Sequence, residues 1–202
     1  PLRLVGSEMC IRDSNRSMGF ESGVITDATA LELAIRTAIE AAEEMSSLTI
    51  DKIVVNISSE FIESNLYEIS VPIKDIQVSK KDIEEAFLIA EEQNVSDDKI
   101  IIETMPLGFS VDGLKSIEYP VGMYGKKLDI NISVITCSRS IVQNLNNVIE
   151  RAHAKISKIV ISPFASAIST LSSDESNLGA ILIDMGAGTT SYSVFSLSLI
   201  HI

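Results

Sequence analysis

Apolar residues recur at helical spacing near the start of the chain, and at strand spacing in the segments that follow. Asp27 precedes Leu31, Ala34, Ile35, Ala38, Ile39, Ala42 and Met45, an i, i+3, i+4 series that predicts a helix capped by Asp27 and packed by one face on a sheet. Residues 53–57 (I-V-V-N-I) follow a polar turn and predict a short buried strand, making an α/β unit with that helix. Residues 67–76 read as two short strands broken at Pro72, a residue that belongs at an edge or a bulge. Ser79 and Asp82 have capping-box spacing ahead of a second helix with Ile83, Ala86, Phe87 and Ala90 on one face. Strands are expected at 99–104 and 107–111, then a turn-rich stretch holding Gly113, Pro120, Gly122 and Gly125. Leu128, Ile130, Ile132 and Val134 alternate with Asp129, Asn131 and Ser133, which predicts a strand with one wet face. One helix on a small sheet over 69–137, set between α/β units, marks an inserted α+β subdomain. Past Cys137 the α/β rhythm returns with a helix bearing Ile141, Leu145, Val148, Ile149 and Ala152, a strand at 158–161, and a helix opened by Ser162-Pro163. Residues 172–175 read as a polar linker, and 180–184 (A-I-L-I-D) with 192–195 as the two strands of a hairpin.

The 202 residues are 46% hydrophobic and 22% charged, a globular profile long enough for one large domain or two small ones. Sixteen Lys plus Arg against 28 Asp plus Glu leave a net charge of −12, which repels phosphate backbones and anionic lipid, so nucleic acid is not expected as a partner. No apolar run has bilayer-spanning length and no secretory leader pattern is present, which makes a cytoplasmic location the expectation. Residues 1–14 show no periodicity and resemble translated sequencing-adapter DNA, and 197–202 resemble its opposite-strand reading. Both ends are set aside as non-native. Cys137 and His153 are then the remaining cysteine and histidine, which excludes a His/Cys metal cluster or a disulfide framework.

Residues 184–190, D-M-G-A-G-T-T, are the one local motif that calls for a chemical explanation. Gly186 and Gly188 around Ala187 let a tight turn present successive backbone amides to an anion, and Thr189 and Thr190 add hydroxyl donors for phosphate oxygens. Asp184 at the strand end would hold Mg²⁺ through water, since that ion keeps much of its hydration shell. An ordinary hairpin with glycines at positive φ would show the same turn. The lysine of a Walker loop is absent, and the turn opens a strand where a dinucleotide fingerprint opens a helix.

Several longer stretches, at 24–36 (V-I-T-D-A-T-A-L-E-L-A-I-R), 105–113 (M-P-L-G-F-S-V-D-G), 119–128 (Y-P-V-G-M-Y-G-K-K-L), 143–152 (Q-N-L-N-N-V-I-E-R-A) and 161–167 (I-S-P-F-A-S-A), together with the 184–190 loop, resemble the bacterial cell-division FtsA family over about residues 15–196. The loop alone marks the wider actin, Hsp70 and sugar-kinase superfamily; the P-V-G-M-Y-G-K-K-L stretch inside an insertion is narrower. The resemblance implies an α/β fold: a partial actin-like (ribonuclease H-like) lobe with an inserted α+β subdomain, 1C. It further implies that 15–68 is the first part of subdomain 1A, 69–137 subdomain 1C, 138–176 the second part of 1A with a linker helix, and 177–196 the start of subdomain 2A with the second phosphate motif. ATP with Mg is the implied cofactor, bound by Asp184, Gly186, Ala187, Gly188, Thr189 and Thr190. The implied partners are the FtsZ ring, other copies in actin-like polymers, and later division proteins through 69–137, with peripheral attachment to the cytoplasmic face of the inner membrane at the division site. The first phosphate motif, the adenosine segment, the FtsZ-binding lobe and the membrane helix of the family are not found, so the sequence reads as a fragment, at most a weak ATPase when whole and not itself catalytic. The family loop usually reads D-x-G-G-G-T-T-D. Ala187 and Ser191 depart from it, Ala187 by resisting positive φ and Ser191 by removing an acidic group beside the metal.

The other polar residues have plainer roles in this reading. His153 stands at a helix end where the family usually has glycine, and capping is its expected role. Cys137 is expected in the core, and Glu84, Glu85, Glu91 and Glu92 on a solvated helix face. Lys126 and Lys127 lie in the loop-rich part of the insertion, which the resemblance makes a docking surface. Two other readings stay open: a pilus-assembly relative with the same insertion, and an actin-fold ATPase or kinase of Hsp70 or sugar-kinase type, which would not carry this insertion.

Overall fold

Asp27 starts the first long helix: its carboxylate accepts from the amides of Thr29 and Ala30 at 2.9 and 3.0 Å, meeting two donors that a helix N-terminus otherwise leaves without partners. The structure, a computed structural model, describes residues 15–94, 96–196 and 199–201. A short pair of strands, β1 (Phe20–Glu21) and β2 (Val24–Ile25), leads into this helix, α1 (Ala28–Ser46). There follow β3 (Lys52–Ile57), β4 (Ile62–Pro72), α2 (Lys80–Glu92), β5 (Lys99–Val111), β6 (Leu114–Ile117) and β7 (Lys127–Ser138). Next are α3 (Arg139–Arg151), β8 (Lys155–Ile161), α4 (Ser162–Thr170) and α5 (Ser173–Leu178), then β9 (Ala180–Met185), β10 (Thr190–Ser196) and β11 (Leu199–His201). The reading of residues 1–14 as a non-native end lies outside the described residues. Within the tail set aside in the same way, β11 pairs antiparallel with β10.

The chain divides into two compact units, one ending at Val55 and taking in Ser140–Ile159, the other comprising Asn56–Arg139 and the chain from Val160. In the first, Leu31 and Ala34 of α1 and Leu145, Val148 and Ile149 of α3 are buried. Glu32 of α1 is held by Arg36 one turn on and by Arg151 of α3 at 2.6 Å. The α3 C-terminus closes with the His153 amide on the Glu150 carbonyl and the Ala154 amide on the Ile149 carbonyl, the paired bonds of a Schellman motif. β3 pairs with β8. It differs from the buried strand expected from its content, since Val54 is 65% exposed and Ile57 alone is buried. Among the described residues β8 is its single strand partner, so its outward side chains stay uncovered.

The second unit contains an antiparallel sheet in the order β4-β7-β5-β6. Leu128, Ile130, Ile132 and Val134 of the central β7 meet Ile69 and Val71 of β4 and Ala86 and Ala90 of α2 in one core cluster. Several expectations change here. Residues 62–72 are one continuous strand, and Pro72 ends it on the sheet edge, where its missing amide costs no ladder bond. β5 is likewise continuous: Pro106 sits at one of two bulges, which absorb the irregularity without ending the strand. The wet face of β7 closes at Ser133, which is 1% exposed with its hydroxyl 3.0 Å from that of Ser64. β6 was hidden in the turn-rich stretch. Residues 172–175, read as a linker, instead begin α5 through a capping box between Ser172 and Glu175.

Candidate functional site

The hairpin of β9 and β10 gathers every residue singled out at 184–190. Asp184 lies opposite Ser191 and Met185 opposite Thr190, leaving 186–189 as the connection. The Gly186 amide donates to the Thr189 carbonyl at 2.9 Å and closes the turn, while Gly186, Ala187 and Gly188 are exposed at its tip. Asp184 is half-buried, and one of its oxygens accepts from Ser166 of α4 at 3.0 Å. On the other flank, Ser58 just after β3 places its hydroxyl 3.0 Å from that of Thr189 and 3.5 Å from that of Ser191. Asn56 donates to Ser162 at the start of α4 at 3.3 Å. Beside the turn an open pocket of about 250 Å³ is lined by Ser58, Ser59, Thr190, Ser191 and Tyr192 over an apolar floor of Ile62, Ile161 and Pro163.

Neither Gly186 nor Gly188 is at positive φ, and Ala187 is outside the left-handed region too, so the Ala187 methyl causes no backbone strain. Gly186 is constrained by closeness instead: a Cβ there would stand 3.2 Å from the Thr189 carbonyl oxygen. With the Gly186 amide engaged inside the turn, the tip amides of Ala187 and Gly188 and the hydroxyls of Thr189 and Thr190 are the groups suited to an anion. Asp184 suits Mg²⁺ held through water, because a single half-buried carboxylate with one oxygen already bonded to Ser166 matches an ion that binds by one or two carboxylates plus phosphate. Among the lining residues of the pocket none is cationic.

The remaining residues fall into structural places. Cys137 is fully buried, and burial pushes its thiol up from the ordinary range. His153 is exposed with φ +66° at the α3 terminus. Of the α2 acids, Glu85 pairs with Lys74 at 2.5 Å and Glu91 accepts from Thr104 at 2.7 Å. Asp112 accepts from the amides of Lys126 and Lys127 at 3.1 and 2.9 Å, clamping the loop that carries them, and Lys127 pairs with Asp129 at 2.7 Å. Sequence reasoning missed Ser58 and Ser166. The available signal was a Ser-Ser pair at the end of the β-branched run 53–57, since α/β folds place ligands outside strand ends.

Residues 59–136 match the family model of the SHS2 domain inserted in FtsA. The chain is 39% identical over 187 residues to the cell division protein FtsA of Agrobacterium fabrum, covering 92% of this chain and 42% of that protein. To FtsA of Rhizobium meliloti it is 37% identical (90% and 41%), and to FtsA of Neisseria meningitidis 34% identical (89% and 43%). It thus spans less than half the length of these relatives. In a solved PilM-PilN type IV pilus biogenesis complex, one chain matches with a TM-score of 0.59 at 16% identity, over 91% of this chain and 49% of that one. The fold is a partial actin-like α/β lobe carrying an inserted α+β subdomain. Residues 59–136 are an SHS2 domain of the kind inserted in FtsA, and the chain around them groups with the FtsA cell-division proteins.

Proposed function

We propose that this chain is the nucleotide-responsive, actin-like part of a cell-division adaptor of the FtsA type. The observation that carries the reading is the turn after β9: a carboxylate, exposed tip amides and a hydroxyl cluster converge on one hairpin in a chain similar to FtsA. In this reading the 184–190 loop takes the terminal phosphates of ATP through the Ala187 and Gly188 amides and the Thr189 and Thr190 hydroxyls, with Gly186 shaping the turn and Asp184 holding Mg²⁺ through water. Subdomain 1A corresponds to 15–68 and 138–176 and the start of 2A to 177–196. Subdomain 1C corresponds to 69–137. The whole protein would link the FtsZ ring to the cytoplasmic face of the inner membrane, self-associate into actin-like polymers and receive later division proteins on the insertion, with slow ATP turnover or none.

The test is Gly188→Asp in the longest reading frame that contains this chain. A carboxylate at the exposed tip places like charge within a few ångströms of the phosphates, so binding of Mg-ATP, followed by a fluorescent analogue, is expected to be lost. Unchanged affinity would reduce the loop to a turn. The likeness to the pilus complex supports a second reading, an actin-fold assembly module of pilus biogenesis; recruitment to FtsZ-decorated vesicles separates the two, being expected for the first alone.

A further inference from the structure

Resting on the phosphate-loop reading, we propose that Ser58 is a positioning residue for that loop, turning the Thr189 hydroxyl hydrogen toward an incoming phosphate oxygen. Ser58 stands 131 positions from Thr189 in sequence, yet their hydroxyl oxygens are 3.0 Å apart. Each hydroxyl has one hydrogen to give and two lone pairs to receive. When Ser58 donates, the Thr189 hydrogen is released toward the loop, and the bond into its oxygen strengthens the one it then makes. In the reverse direction the Thr189 hydrogen is engaged on Ser58, and the loop loses a side-chain donor. An anion in the loop selects the first arrangement.

Ser58 is well placed to hold that direction. It follows Ile57, which is 4% exposed. The Ile62 amide bonds back to the Ser59 carbonyl at 3.2 Å, closing the turn that follows Ser58. Ser191, 3.5 Å away, is a further hydroxyl through which Ser58 completes its own bonding. Because no lysine or arginine lines the adjoining pocket, the direction of neutral donors carries more of the recognition than it would in a cationic site.

The test compares Ser58→Ala and Ser58→Thr with the wild type in the longest reading frame containing this chain. Without nucleotide, hydrogen exchange of the 186–190 amides is expected to quicken about five-fold in Ser58→Ala, the equivalent of one hydrogen bond, and to keep wild-type rates in Ser58→Thr, with global unfolding unchanged in both. With Mg-ATP, Ser58→Ala is expected to bind about five-fold more weakly and Ser58→Thr like the wild type. Wild-type exchange in Ser58→Ala overturns the inference, and so does a Ser58→Thr variant that restores neither readout, since bulk rather than the hydroxyl would then matter. A wild type that binds no nucleotide overturns the phosphate-loop reading, while the exchange comparison still decides whether Ser58 orders the loop.

Discussion

His153 shows how one residue can carry a local cost for the sake of an element boundary. It follows the last turn of α3 with φ +66°, a region in which an L side chain crowds its own backbone by about 1–2 kcal/mol. The two Schellman bonds around it need that conformation, and glycine reaches it without the crowding, at some cost in unfolded-chain entropy. Because the imidazole is exposed, His153→Gly is expected to stabilise the protein by about 0.5–1 kcal/mol net. The measurement is the urea midpoint at constant slope; a lower midpoint would mean that the imidazole makes contacts that outweigh the relief. The loop glycines present the opposite case. Gly186 and Gly188 avoid positive φ, so what glycine contributes at 186 is the room it leaves beside the Thr189 carbonyl.

At the scale of elements, α2 depends on a buried carboxylate. Asp82 is 1% exposed, and its oxygen accepts from the Ser79 amide and hydroxyl at 2.8 and 2.7 Å. Burial pushes the carboxyl up, but the Ser79 hydrogen bonds and the nearby Lys74 outweigh it and hold the group below the usual carboxylate range. A group whose folded pKa is lowered adds stability that is fully present above its unfolded value, about 3.9 for Asp, and that is lost as pH falls through the folded value. Asp82→Asn is therefore expected to cost about 1 kcal/mol near neutrality, the gap to wild type closing as pH drops from about 4 toward 2. A gap that stays constant over that interval in chemical denaturation would sink this account. The cap itself was legible because Ser79 and Asp82 are three residues apart, as was the Asp27 cap of α1. Strand continuity was not: whether Pro106 ends a strand or sits in a bulge depends on the register against β7, which no local pattern records. Distance explains the site in the same way. The loop 184–190 was readable as a contiguous motif, whereas Ser58 and Ser166 reach it only through folding.

At the scale of the molecule, the inserted block joins the remaining chain through two neighbouring strand ends. β4 begins with Ile62 opposite Cys137, one residue before the end of β7, so the chain enters and leaves the block side by side, the arrangement that tolerated domain insertions share. Its core is drawn from within: the buried residues of the cluster run from Ile69 to Val134, and the partly buried side chains packed on them also fall inside the 59–136 match. Leu128, Ile130, Ile132 and Val134 are wholly removed from solvent, each adding about 1.5–3 kcal/mol of burial, and chains of this size do fold alone. Residues 59–138 expressed by themselves are expected to unfold in a single cooperative thermal transition by circular dichroism. Ile132→Ala should lower their stability by about 2–4 kcal/mol, the loss typical of a cavity in a packed core. A broad, sloping melt, or an Ile132→Ala variant no less stable than its parent, would mean that the core needs the rest of the chain. If the transition is sharp, the loop clamped by Asp112 belongs to a module that can bind a partner as a separate body, and docking by 59–138 alone becomes a direct assay of the surface bearing Lys126 and Lys127.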